Sequence, residues 1–343
     1  MSGTVLGDPI TNDTIPGGAV RSASVSVITP TLAQPSRTRL LADVYADLSA
    51  SDVSWEWVIA VDGDNPPEVP ERLRTDPRVR VLTIGRRVGA AAARNLALGL
   101  AHGRYITCVD DDDRLPAGSL KSRLAAAHSS GAAWVAALLA DEHDGAIEVW
   151  DSPIARGTLG PGDVWRAWAC PCLPFPIGPT TLLVDAGLLR RVGGWQGLPQ
   201  AEDFGMALAV TSAAPGEMLD RVVYIYHKHP GQTMRRHDFD DLEPLVRHIT
   251  FERGRLLAEA NRKAVPSAMP SSAVVRHHGA PLAPVTTRLT HQFGVEPGDT
   301  LWRERALADQ AVDRHRRAVH TVRRQLAGHG PHEDAQGGLL QTE

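Results

Sequence analysis

Four short apolar stretches follow one another in the first 113 residues of this chain, three of them stopping on oxygen-bearing side chains, and this punctuation constrains the fold more than any other feature. The stretches are "ASVSVITPT" (23–31), "WEWVIAVDGDN" (55–65), "VRVLTIG" (79–85) and "RYITCV" (104–109), the last running straight into Asp110, Asp111, Asp112 and Asp113. Between them lie segments of helical spacing. "RTRLLADVYADLSA" carries Leu40, Leu41, Val44 and Leu48, and "GAAAARNLALGLAHG" is rich in Ala and Leu and closes on Gly103. Strands alternating with helices predict an α/β fold, a mostly parallel, Rossmann-like sheet with helices on both faces. In such sheets ligands bind beyond the carboxyl ends of the strands. Thr29, Asp62 and Asp110 are each expected where a strand runs out.

The alternation continues through a helix at "LKSRLAAAHSS", a strand at "AAWVAALLA", a short helix at "VDAGLLRRVGGW", a helix opening at "AEDFGMALAVT" and a strand at "RVVYIYHKH". Residues 150–179 are rich in Trp and Pro and have poor helix and strand signals. They form either the substrate side of a pocket or a loop that covers core. The organisation expected is a disordered leader over 1–22, a catalytic domain over 23–237 (nucleotide half 23–116, acceptor half 117–237), a helical C-terminal extension over 238–330 and a disordered tail over 331–343. Two charged amphipathic helices in the extension, around 241–263 and 303–328, are suited to dimerisation, to packing on the catalytic domain or to a partner.

Composition narrows the function classes. A net charge of −4 argues against nonspecific nucleic-acid binding, and three cysteines cannot form a disulfide framework, so a cytoplasmic setting is expected. No signal peptide and no apolar window long enough for a transmembrane helix is apparent.

Four consecutive carboxylates directly after a buried strand need an explanation. Two carboxylates about 4 Å apart repel by about 4 kcal/mol at an effective dielectric near 20. A cluster of them either titrates upward or takes a cation. Mg²⁺ and Mn²⁺ suit such oxygen ligands, with nucleotide phosphates completing the shell. The competing reading is a solvated acidic loop or an acid-rich helix start before Pro116. Asp62 is either a ligand contact or a turn former at Gly63. Arg94 either meets a nucleotide or pairs with one of the acids. Glu202 and Asp203 either cap a helix or supply a general base. His227 and His229 close the last strand as candidate metal or phosphate contacts.

Taken in order, "TPT", "VDGD", "GAAAARNLALGLAHGRYITCVDDDD", "GGW", "AEDFGMAL" and "YHKHPGQT" resemble glycosyltransferase family 2, inverting enzymes of the GT-A fold, over about Ser24 to Met234. The resemblance implies a metal-dependent transfer of one sugar from a nucleoside-diphosphate sugar, most commonly UDP-linked, to a hydroxyl. It implies that Pro30 and Thr31 line the nucleotide pocket, Asp62 reads the base, Arg94 faces the nucleotide, Asp110 takes the ribose, Asp112 and His229 the Mn²⁺ or Mg²⁺, and Asp203 acts as base with Glu202 on the acceptor. The run has an extra acid, so Asp111 could replace either Asp110 or Asp112 by a one-residue shift, and Asp110 is a further candidate for the metal. Trp165 and Trp195 are the candidate acceptor contacts. The chain departs from the family pattern at strand two, where Asp62-Gly63-Asp64-Asn65 replaces Asp-Asp-Gly-Ser, and the Gln-x-x-Arg-Trp motif of processive synthases is missing, which favours single transfer. Two other classes stand beside this reading. A nucleotidyltransferase would normally place a glycine-rich basic loop after strand one, which "TPTLAQPSRTR" does not supply. A non-catalytic nucleotide or sugar binder would not need the acids.

Overall fold

The computed structural model describes residues 23–33, 35–63, 69–143, 145–150, 152–168, 174–229 and 239–264. The expected leader, the Pro/Ser-rich connection, the second C-terminal helix, the tail, and Cys170 and Cys172 lie outside the described residues.

Strands β1 (Val25–Thr31), β2 (Trp55–Val61), β3 (Val79–Thr83) and β4 (Tyr105–Cys108) form the parallel half of one sheet, in the order β3-β2-β1-β4. All seven residues of β2 are buried, as expected for a strand covered on both faces. Helices α1 (Pro35–Ser49) and α3 (Ala90–Leu100) are the crossovers, with the short α2 (Glu71–Thr75) before β3. Leu41, Val44 and Leu48 of α1 and Ala91, Ala93, Ala97 and Leu98 of α3 are buried, one set in each of two cores on opposite faces of the sheet. Alanines let α3 approach the sheet closely. At its exit Gly103 is obligatory: a Cβ there would come within 2.5 Å of the Ser26 amide nitrogen.

Beyond β4 the sheet becomes mixed. β5 (Trp134–His143) follows α4 (Ser119–Ser130), and β8 (Leu183–Asp185) runs antiparallel to both β4 and β5. β9 (Gly216–His227) is parallel to β5, while β6 (Ala146–Trp150) and β7 (Gly157–Leu159) are antiparallel edge strands. Helices α5 (Asp163–Ala167), α6 (Ala186–Arg191) and α7 (Glu202–Ala213) cover this half, and α8 (Phe239–Ala264) packs along α7.

One local expectation needs correction. β1 runs through Pro30 to Thr31, in register with Ala60 and Val61 of β2. Thr29 is therefore not at a strand end. It is fully buried, donates to the Val109 carbonyl at 2.7 Å and accepts from the Trp57 indole at 2.8 Å.

Candidate active site

The carboxyl ends of β1, β2 and β4 open on one side of the sheet, and the predicted donor-side residues gather there. Thr31, at the end of β1, donates to Asp111 Oδ2 at 2.5 Å, so the adjacent Pro30 lies beside the acidic run. Asp62, just past β2, accepts from the Val88 and Gly89 amides at 2.6 and 3.0 Å. Its carboxylate thus ties the end of β2 to the turn that starts α3, where Gly89 holds a φ of 88°.

Each aspartate of the run has its own environment. Asp110 Oδ1 accepts from Arg94 at 2.7 Å. Asp111 is buried against Thr31. Asp112 Oδ2 is 2.8 Å from His229 Nε2. Asp113 is 1% exposed and accepts from the Tyr224 hydroxyl at 2.7 Å and the His227 amide at 2.9 Å. Burial, followed by the charges of Asp110 and Asp112, pushes the Asp113 carboxyl well above its ordinary range. The run is therefore not a uniform acidic loop: one carboxyl is structural and two face specific cations or imidazoles. His227 pairs instead with Glu142, Nδ1 to Oε2 at 2.6 Å, and its ring stacks on that of His229.

Across from the run, α7 begins on Glu202 and Asp203. Glu202 Oε1 accepts from Arg94 at 2.5 Å. Asp203 accepts from the Phe204 amide at 2.9 Å, and burial, then the neighbouring Glu202 charge, raise its carboxyl to about 7. A carboxyl near neutrality in a cleft suits a general base. Ala201, immediately before it, is left-handed (φ 51°), as is Ala33 after β1 (φ 47°). Among the described residues these are the two non-glycine positions of positive φ, and both abut the site. Arg94 is buried between Asp110 and Glu202, and both carboxylates help hold it charged. Beside it the Cys108 thiol is raised to about 12 by burial, far from any nucleophilic state.

Asp112 and His229 fit a hard divalent cation that takes a carboxylate and an imidazole from the protein and oxygens from a diphosphate. A complete cage is not preformed: among the described residues no group of three or more His, Cys, Asp or Glu side chains is arranged to hold a metal.

The two candidate acceptor tryptophans are not open platforms. Trp195 is 3% exposed and belongs to the core, where its backbone is clasped by Asn95. Trp165 packs on Phe251 of α8, ring centroids 5.5 Å apart. Trp168 and Phe175 are likewise core residues, so this part of the Trp-rich stretch covers core. Phe204, next to Asp203, is the half-exposed aromatic here, stacked on Phe175 at 4.6 Å with Arg247 over its ring. Sequence reasoning missed Asn95, Tyr224 and Phe204. The Tyr224 position was legible only as an inward residue of β9, and its partners lie more than a hundred residues away.

Residues 26–156 match the sequence model described as "Glycosyl transferase family 2". The chain is 34% identical over 103 residues to the putative teichuronic acid biosynthesis glycosyltransferase TuaG of Bacillus subtilis, covering 29% of this chain and 40% of that protein. It is 34% identical over 77 residues to the succinoglycan biosynthesis protein ExoO of Rhizobium meliloti, 22% of each. The chain thus spans less than half the length of these relatives. Among solved structures, S. aureus TarS 1-349 in complex with UDP-GlcNAc superposes with a TM-score of 0.54 at 18% identity, over 68% of this chain and 70% of that one. The two share the mostly parallel α/β fold.

Proposed function

We propose that this protein, whose residues 26–156 match the glycosyl transferase family 2 model, moves a single sugar from a nucleoside-diphosphate sugar to a hydroxyl group, with inversion and with help from Mn²⁺ or Mg²⁺. The observation that carries the reading is the first turn of α7: Glu202 is joined to Asp110 by the Arg94 side chain, and next to Glu202 stands Asp203, its carboxyl raised to about 7.

In this reading Thr31, Asp62 and Asp110 form the nucleotide side, and Asp112 with His229 would hold the cation. The cation, when bound, offsets charge on the departing diphosphate. Asp203 takes the proton from the acceptor hydroxyl as that oxygen attacks the anomeric carbon. The bond from that carbon to the diphosphate oxygen breaks in the same displacement, and the nucleoside diphosphate leaves with the electron pair. Glu202, held by Arg94, orients the acceptor beside the base. Uridine is the first base to test, because the family resemblance points to it. The acceptor belongs to the class of small-molecule, glycan or lipid hydroxyls. No helix among the described residues is long and apolar enough to cross a membrane.

A thermal-shift screen of UDP, dTDP, GDP and CDP, with Mn²⁺, with Mg²⁺ and with EDTA, tests the proposal on wild type and Asp112→Asn. A metal-dependent shift with one base, lost in the variant, is the expected result. No shift with any nucleotide would remove the transferase reading.

A further inference from the structure

Helix α3 reaches across the site with two consecutive side chains. Arg94 donates from Nη2 to Asp110 at 2.7 Å and from Nη1 to Glu202 at 2.5 Å. Asn95 clasps the backbone of Trp195 in both directions, Nδ2 to the carbonyl at 2.7 Å and the amide to Oδ1 at 2.9 Å. The segment from Trp195 to Glu202 is the approach to α7, and it ends in the left-handed Ala201. A chain that enters a helix through a strained residue does not hold its first turn by local geometry alone. No side chain caps the N-terminus of α7. Its local bonds run from the Phe204 and Gly205 amides to the Ala201 carbonyl and from the Phe204 amide to Asp203, and Arg94 adds a charged contact from a buried guanidinium to its first residue. Each of the two carboxylates receives one N–H of a buried, planar guanidinium, which sets their direction as well as their distance.

We infer that Arg94 is a positioning residue: by bridging Asp110 and Glu202 it fixes the first turn of α7, and with it Asp203, in register with the donor end of the sheet. The inference rests on the transferase reading for its kinetic consequence but not for its structural one. Arg94 does not need to touch the reacting atoms. Asp110 is also anchored through its backbone amide to the Tyr224 hydroxyl, so loss of the bridge frees the first turn of α7 and leaves the donor end in place.

Hydrogen–deuterium exchange of the unliganded full chain tests the structural part. In Arg94→Gln the amides of residues 202–208 are expected to exchange at least ~10-fold faster while β1 and β2 stay unchanged, because the opening is local. Arg94→Lys keeps a charge but not the fork, and is expected to fall between the two. If Arg94→Gln does not fold, Arg94→Lys supplies the same comparison. The kinetic part uses UDP with Mn²⁺ for binding and slow hydrolysis of UDP-GlcNAc for turnover. In Arg94→Lys the UDP affinity is expected to stay within ~3-fold while turnover falls roughly 100-fold, the scale of a misplaced reacting group. Unchanged exchange at 202–208 in both variants overturns the inference, and so does a parallel fall in UDP affinity and turnover. Wild type that binds no nucleotide refutes the transferase reading instead, and the exchange data then judge Arg94 alone.

Discussion

Replacing Asp203 by Asn is expected to make the protein more stable and less active at once, and the size of the gain follows from the carboxyl's environment. In the folded chain this group titrates near 7 rather than at its ordinary 3.8, because burial and the Glu202 charge disfavour its ionised form. Between those two values the folded protein retains a proton that the unfolded chain has released. Stability therefore falls as pH rises through this window, by at most ~1.4 kcal/mol per pH unit, and levels off above about 7. A shift of roughly three units amounts to a cost of about 4 kcal/mol at pH 8, an upper bound for a group with charged neighbours on both sides. Asn has no proton to lose and still accepts the Phe204 amide. Urea unfolding of wild type and Asp203→Asn at pH 4.5, 6 and 8 should show a stability difference that is small at the lowest pH and grows in favour of the variant to a few kcal/mol at pH 8. Turnover of a sugar nucleotide should fall by about 10²–10⁴ in the variant, the range for losing a general base. In wild type it should rise with pH through about 7. A stability difference that does not change with pH would refute the assignment of a raised carboxyl to this position.

Other perturbations separate the parts of the site. Asp112→Asn should abolish the Mn²⁺ dependence of nucleotide binding, read by calorimetry with and without EDTA, while leaving the unliganded melting temperature within a few degrees. Tyr224→Phe removes the hydroxyl that accepts from the Asp110 amide and donates to Asp113, and leaving those buried groups short of partners should cost about 1–3 kcal/mol in chemical denaturation. Ala201→Gly should raise stability by about 0.5–1 kcal/mol, since the left-handed cost it releases, roughly 1–2 kcal/mol, exceeds the extra chain entropy that glycine loses on folding. Gly216→Ala should destabilise by about 3 kcal/mol or more, because its Cβ would enter the Trp134 ring.

The parallel half of the sheet was legible because β1, β2 and β4 are buried on both faces and read as short, mainly apolar runs, with the edge strand β3 completing the alternation with helices. The mixed half was less so. β8 is three residues inside "TTLLVDAG", too short to show a period, and its antiparallel place between β4 and β5 depends on neighbours distant in sequence. The strand ends pointed to the site, and the acids that gather there are those the sequence singled out. Their partners were not legible. That Arg94 spans from Asp110 to a second acid depends on α7, 108 residues later, and whether Trp195 is a platform or core is decided by its packing. Composition cannot distinguish these outcomes, because the residue type is the same in each.

The clasp of β9 on the aspartate run governs the order in which this protein can become competent. Asp110 and Asp113 wait on Tyr224, Asp112 on His229 117 residues away, and Arg94 on Glu202. During synthesis the first four strands can emerge and pair, with Arg94 and Thr31 already at hand for Asp110 and Asp111, while Asp112 and Asp113 still lack their partners. Contacts of such long sequence separation close late and slowly. The nascent nucleotide half is thus an electrostatically unsatisfied intermediate, and binding competence should switch on only after His229 has left the ribosome.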